Sequence, residues 1–318
     1  MSVFEKPNLL SVLIIGFILV VAMVFGYCTM RVSPEYTTFT SEQAGESFVL
    51  PFELDSPDRI ISLNSDLREI SGLELGDENE ILCIQDEDGE VFVLDLETEK
   101  IASQHRFAKD RDYEGIARVG DVIYVLERDG DLHYFDFSVR TEKYDSEKLE
   151  TGFSYRNDTE GLCYDAANDQ LLVVPKEQNL EAIPERSHLR SVYAYSLGSR
   201  NIDPQPVFSV DEYELGQLVY GERTRYTFKP SAIAVHPNNE HIYLLSAVGE
   251  SLLVVDRNGE IVFLKRLDRS IFPQPEGIIF DREGRLIIST EGQGDRALIG
   301  IYNPKIPGER IDTTSTDQ

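Results

Sequence analysis

The chain has 318 residues, enough for one large or two modest domains, and sets 30 Lys+Arg against 57 Asp+Glu for a formal net charge of −27. An acidic excess of that size repels the phosphates of nucleic acid and of anionic lipid, which excludes nucleic-acid partners and leaves solubility or cation binding as its use. The three cysteines, Cys28, Cys83 and Cys163, show no CxxC or Cys/His spacing for zinc. Cys83 and Cys163 sit in apolar strand contexts and read as buried thiols, with a disulfide between them left open.

The first element is the run LLSVLIIGFILVVAMVFGYC, residues 9–28, which holds no charged side chain. A helix of that length rises about 30 Å, the hydrocarbon thickness of a bilayer. A cleaved leader has a shorter apolar stretch, about 7–15 residues, and a small-x-small exit. This run instead ends Phe25-Gly26-Tyr27-Cys28. Residues 1–30 are therefore expected to be an uncleaved signal anchor, a single transmembrane helix. Lys6 and Arg31 flank it on opposite sides, so charge alone orients it weakly. The short head and the large acidic remainder favour the head inside and the domain outside. Residues 31–47 are polar and read as a tether.

From residue 48 to 305 short alternating strands are broken by Gly, Asp and Asn, and no long stretch has helical period. One phrase recurs. It appears as ISGLELGDENEILCIQDEDGEVFVLD, YEGIARVGDVIYVLERDGDLHYFDF, TEGLCYDAANDQLLVVPKE, PSAIAVHPNNEHIYLLSAVGESLLVVD and PEGIIFDREGRLIISTEGQG. Its anchors, Gly72, Gly115, Gly161, Ala232 and Gly277, are spaced 43, 46, 71 and 45 apart. Spacings of about 40–50 are those of a four-stranded propeller blade. The sequence thus predicts an all-β protein, a β-propeller of five blades, with room for a sixth in the long interval or across the termini. That interval also carries an insertion at about residues 178–227, around the strands RSVYAYSL and PVFSV. The strands FVLPFEL and RIISLN are expected to pair with the last blade and close the ring, which removes exposed strand edges. Residues 306–318 read as a disordered tail.

Successive strands of a blade are antiparallel, so the start of its first strand and the end of its second share one edge. A glutamate before the anchor glycine and an acid after the second strand therefore gather at one mouth of the central channel. The expected set is Asp112, Glu114 and Glu127 from one blade, Glu160, Lys176 and Glu177 from the next, and Glu276 and Glu291 from the last. Glu69, Asp86 and Glu87 come from the first. Turn acids in DEDGE, ERDGD, DRNGE and DREGR are ordinary turn chemistry. Glutamate is not a favoured turn residue, so the Glu-Gly pairs point beyond it. Two carboxylates about 7 Å apart repel by about 2 kcal/mol at an effective dielectric of 20. Several at one opening need a cation, a proton or Lys176.

At EISGL…DEDG, DYEGIA…LERDG and NDTEGLCYD…LLVVPKE the chain resembles the SdiA-regulated (YjiK-like) family, over roughly residues 48–303 plus the anchor. The resemblance implies a bacterial, membrane-anchored propeller in the cell envelope, on the periplasmic side of the plasma membrane, akin to phytase-like propellers and linked to calcium. It gives no settled activity. Asp112, Glu114 and Gly115, Glu160 and Gly161, and Lys176 and Glu177 match the family pattern, whereas the fourth repeat reads Ser231-Ala232. One quadrant of the mouth would then lack a carboxylate.

Three functions stay open. The first is a monomeric calcium-binding propeller that senses or recruits, because calcium takes six to eight oxygen ligands. The second is a calcium-dependent phosphoesterase, whose phosphorylated small molecule would meet Lys176, Arg128 and Lys229. The third is a metal-free scaffold that holds a protein partner through the insertion. No GxSxG, P-loop or HExxH occurs, and the five histidines show no ligand spacing.

Overall fold

The computed structural model describes residues 38–305, apart from 41, 44, 45, 293 and 295. The expected signal anchor and tail lie outside the described residues, and no helix among those described is long and apolar enough to cross a membrane.

Five antiparallel sheets form five blades. Blade 1 comprises Ile70–Leu75, Glu80–Gln85, Glu90–Asp95 and Lys100–Arg106. Blade 2 comprises Tyr113–Val119, Val122–Glu127, Leu132–Asp136 and Glu147–Leu149. Blade 3 runs Thr159–Asp165, Gln170–Pro175 and Leu189–Ser196, with Asn201–Ile202 and Phe208–Asp211 both paired to the third strand. Blade 4 holds Pro230–Val235, Ile242–Ser246, Ser251–Val255 and Ile261–Arg266. Blade 5 holds Pro275–Phe280, Leu286–Thr290 and Leu298–Tyr302, and takes its fourth strand, Arg59–Ser62, from the N-terminal side. The inner strands adjoin one another around a closed ring. Among the described residues, the sixth blade for which the sequence leaves room does not form.

The strands read as near-continuous apolar runs because each blade is covered on both faces. In Glu80–Gln85, Leu82 and Ile84 pack toward blade 2 while Ile81 and Cys83 pack toward blade 5. The core is thus five apolar layers, one between each pair of neighbouring blades. Cys83 and Cys163 are free and buried, as the apolar contexts of both implied.

The closing strand falls on RIISLN as expected, but FVLPFEL is not a strand. Phe52 and Leu54 are buried between blades 4 and 5, with Phe48 and Leu50 packed beside them. A proline at position 51 removes a ladder donor from that segment. Upstream, Thr38–Thr40 pairs with Ile261–Arg266 as a fifth strand of blade 4, inside the stretch expected as a tether.

The insertion is also more ordered than its polar composition implies. It contains a helix, α1 (Glu212–Tyr220), which starts where Asp211 accepts from the Tyr213 N–H at 2.8 Å and ends at Gly221, φ 74°. Glu212 is fully buried and satisfied by Arg190 (3.1 Å), Arg225 (2.6 Å) and the Phe228 N–H (3.0 Å).

Candidate functional site

Every blade carries the same irregularity. In the pairing of first and second strands, Ser71, Glu114, Glu160, Ser231 and Glu276 are each skipped: their neighbours pair and they do not. Each is therefore the extra residue of a β-bulge, a device that re-aims a side chain out of the ladder. Each immediately precedes an anchor glycine or alanine, and four of them, Ser71, Glu114, Glu160 and Glu276, line a narrow axial void of about 10 Å³, room for one water-sized body. Glycine follows because the inner strands crowd there: a Cβ on Gly115 would meet the Leu162 Cβ at 2.7 Å.

The serines and glutamates differ in what they do. Ser71 Oγ donates to the Tyr113 carbonyl and Ser231 Oγ to the Pro275 carbonyl, each at 2.7 Å. Each serine thereby ties its blade to the residue just before the next blade's glutamate. The glutamates have no such neutral role. Lys176 Nζ lies 2.6 Å from Glu160 Oε1, and among the described residues no hydrogen bond reaches the Glu114 carboxylate. Burial pushes Glu114 well above the usual carboxylate range, with Glu160 adding to it and Lys176 opposing. Burial raises Glu160 to about 7 against the pull of Lys176. Glu276 is pushed well up by burial and by Glu160.

Two further carboxylates extend the cluster. Glu291 is raised to about 7 by burial and by Asp86, Glu69 and Glu160. Asp86 is raised to about 6 by burial and by Glu69 and Glu87, and its Oδ1 is buried without a partner. Burial opposes the charge of Lys176, yet Glu160 and Glu276 hold its ammonium above the usual range.

The remaining expected residues are arranged otherwise. Glu127 is fully buried away from the axis, where it meets Lys148 at 2.8 Å, Arg111 at 3.0 Å and His133 at 3.1 Å. Burial works against its charge, but His133, Lys148 and Arg111 hold it down at about 2. Asp112 is exposed and faces Arg128 at 3.5 Å, and Arg128 also pairs with buried Asp158. Glu177 is exposed and pairs with Lys229. Asp158, at φ 54°, was not singled out in the sequence; the Asn-Asp pair before Thr159 is the signal for that left-handed position.

Hard carboxylate oxygens and an orphaned Asp86 oxygen suit a hard cation. Among the described residues no three metal-binding side chains stand ready-made to hold one, and Lys176 is paired with Glu160.

Below the void, the residue after each anchor is aliphatic: Leu73, Ile116, Leu162, Ile233 and Ile278. These five border the acidic void on one side and a larger funnel of about 580 Å³ on the other. They form a collar that closes the channel between its two mouths.

The fold is shared with solved propellers. Glutaminyl cyclase from Myxococcus xanthus is 14% identical, over 78% of this chain and 95% of that one, with a TM-score of 0.54. Virginiamycin B lyase from Staphylococcus aureus is 11% identical over 78% and 74%, TM-score 0.43. A luciferin-regenerating enzyme is 8% identical over 78% and 95%, TM-score 0.47. At 14% identity the likeness to the glutaminyl cyclase is one of fold alone. No match was found among curated proteins. The SdiA-regulated family model matches residues 58–293. With five such blades and that match over most of its length, the chain belongs to the SdiA-regulated family.

Proposed function

We propose that this propeller binds a divalent cation, calcium by its donor chemistry, at the mouth formed by Glu114, Glu160 and Glu276, and that it serves in the bacterial cell envelope as a membrane-anchored sensing or interaction module. The observation that carries the reading is the set of bulges that turn three buried glutamates onto one axis with a single lysine among them. Each ionised carboxylate there costs free energy through desolvation and repulsion, and a divalent ion offsets both. The anchoring half rests on the uncharged run at 9–28.

A phosphoesterase is supported less. Lys176, Arg128 and Lys229, the cations a phosphate would need, are each paired with a carboxylate. A dianion entering this mouth would meet net negative charge. The likeness to a glutaminyl cyclase carries no activity across at 14% identity. The scaffold reading draws on the insertion, whose buried Glu212 network makes it a built part of blade 3.

Calorimetric titration of calcium into chelator-cleared full-length protein tests the proposal. One saturable site is expected in wild type and none in Glu114→Gln/Glu160→Gln. Absence of calcium heat in the wild type, with no calcium retained on dialysis, would move the scaffold reading to the front.

A further inference from the structure

The funnel beyond the aliphatic collar is separate from the acidic mouth and is the roomier of the two, at about 580 Å³, within the range of small-molecule sites. Its floor is the collar of Leu73, Ile116, Leu162, Ile233 and Ile278. One carboxylate stands beside that floor. Glu74 follows the collar residue Leu73 and receives the Leu75 N–H on Oε1 at 2.6 Å and the Arg118 N–H on Oε2 at 3.0 Å. Each oxygen keeps a lone pair for a further donor. Burial pushes this carboxyl up to about 7 against those two bonds.

The charges around the funnel decide the sign of its occupant. Two arginines line it, and both are already neutralised. Arg118 pairs with Asp77 at 3.2 Å and donates through Nε to the Gly120 carbonyl at 2.9 Å. Arg257 pairs with Asp165 at 2.8 Å and with Glu240 at 3.5 Å. Each guanidinium is thus held by a carboxylate outside the funnel lining, Asp77 for Arg118 and Asp165 for Arg257, while Glu74 and Glu240 stand in the lining itself. An anion finds one unbonded donor there, Arg257 Nε, whose charge Asp165 and Glu240 already offset, whereas an amphiphilic cation finds both an unshared charge at Glu74 and a hydrocarbon floor.

We infer that the funnel is a second binding site, for a small amphiphilic amine whose ammonium pairs with Glu74 and whose apolar body lies on the collar. A charge-assisted hydrogen bond at a partly dry site is worth about a factor of ten in affinity over its neutral counterpart. The site owes nothing to the calcium proposal, because the collar lies between the two.

The test uses full-length protein in zwitterionic nanodiscs with labelled isoleucine methyls, so that Ile116, Ile233 and Ile278 report binding locally. Three isosteric compounds are titrated: n-hexylammonium, n-hexanol and hexanoate. Saturable methyl shifts with hexylammonium are expected, with a Kd about tenfold below that for hexanoate. Glu74→Gln should raise the hexylammonium Kd about tenfold and leave hexanol unchanged. Ala167→Trp, at the funnel rim, should weaken hexylammonium and hexanol together without touching Glu74, and Glu114→Gln/Glu160→Gln should change neither. Hexanoate binding as tightly as hexylammonium, a Glu74→Gln variant with wild-type affinity, or the absence of saturable shifts with any compound would each overturn the inference.

Discussion

Lys176 Nζ sits 2.6 Å from Glu160 Oε1, and this ion pair sets one positive charge among Glu114, Glu160, Glu276 and Glu291. Replacing Lys176 by Met keeps the hydrocarbon stem and removes that charge. Breaking a buried pair from one side costs about 3–5 kcal/mol. Lys176→Met is expected to lose about 3 kcal/mol in chelator at pH 8 and much less at pH 5, where the glutamates accept protons. Urea denaturation at the two pH values measures it. An equal loss at both would mean that Lys176 packs rather than neutralises.

The raised carboxyls set the pH dependence of the apo protein. Glu160 titrates at about 7 in the fold, above the 4.5 of the free side chain. Between those values the folded state holds a proton that the unfolded state has released. Stability is thus greatest below pH 4.5 and falls as pH rises to about 7, by about 3 kcal/mol for this one nearly buried group. Glu160→Gln should flatten that slope. Calcium should oppose it, since it binds the ionised form. A profile in chelator that rises from pH 5 to 8 contradicts this account of the cluster.

Glu127 should behave in the opposite way. Its carboxyl is held at about 2, so its contribution is present above pH 4.5 and fades only as pH falls toward 2. Glu127→Gln strands Lys148 and Arg111 against a neutral amide and is expected to cost about 3 kcal/mol at pH 7. The calcium response should be unchanged. Thermal denaturation with and without calcium checks both halves.

Gly115→Ala tests the close approach of the inner strands. Its Cβ would sit 2.7 Å from that of Leu162, and overpacking of this kind costs about 1–3 kcal/mol. Because Glu114 is the adjacent bulge residue, the same substitution should weaken calcium binding along with stability. Calorimetry reads both quantities.

Much of this architecture was legible in the chain. The blade spacing follows from five recurring phrases, and the closing strand from RIISLN, because sheet meanders are local and repeat. The glutamates before glycine could be found for the same reason. Three features could not be read. Ser71 and Ser231 occupy the same bulge as the glutamates but bind backbone carbonyls of the next blade, a contact that depends on how neighbouring blades meet. Glu127 follows its strand as the mouth acids do, yet it turns toward Lys148 and Arg111, and only the direction of the side chain separates the two cases. Helix α1 hides because Glu212 in its first turn is buried by Arg190 and Arg225. A charged residue there breaks the apolar period by which a helix is recognised.

The most direct measurement is calorimetric unfolding of the wild type and of Glu114→Gln/Glu160→Gln, each with calcium and with chelator. Calcium at 100 times its dissociation constant should stabilise the wild type by about 2.7 kcal/mol. The double variant should show no calcium shift; in chelator, relief of about 2 kcal/mol of carboxylate repulsion is opposed by the loss of Lys176's partner at Glu160, so the calcium difference is the readout. A wild type indifferent to calcium, or a double variant that keeps the wild-type calcium shift, would contradict the cation site.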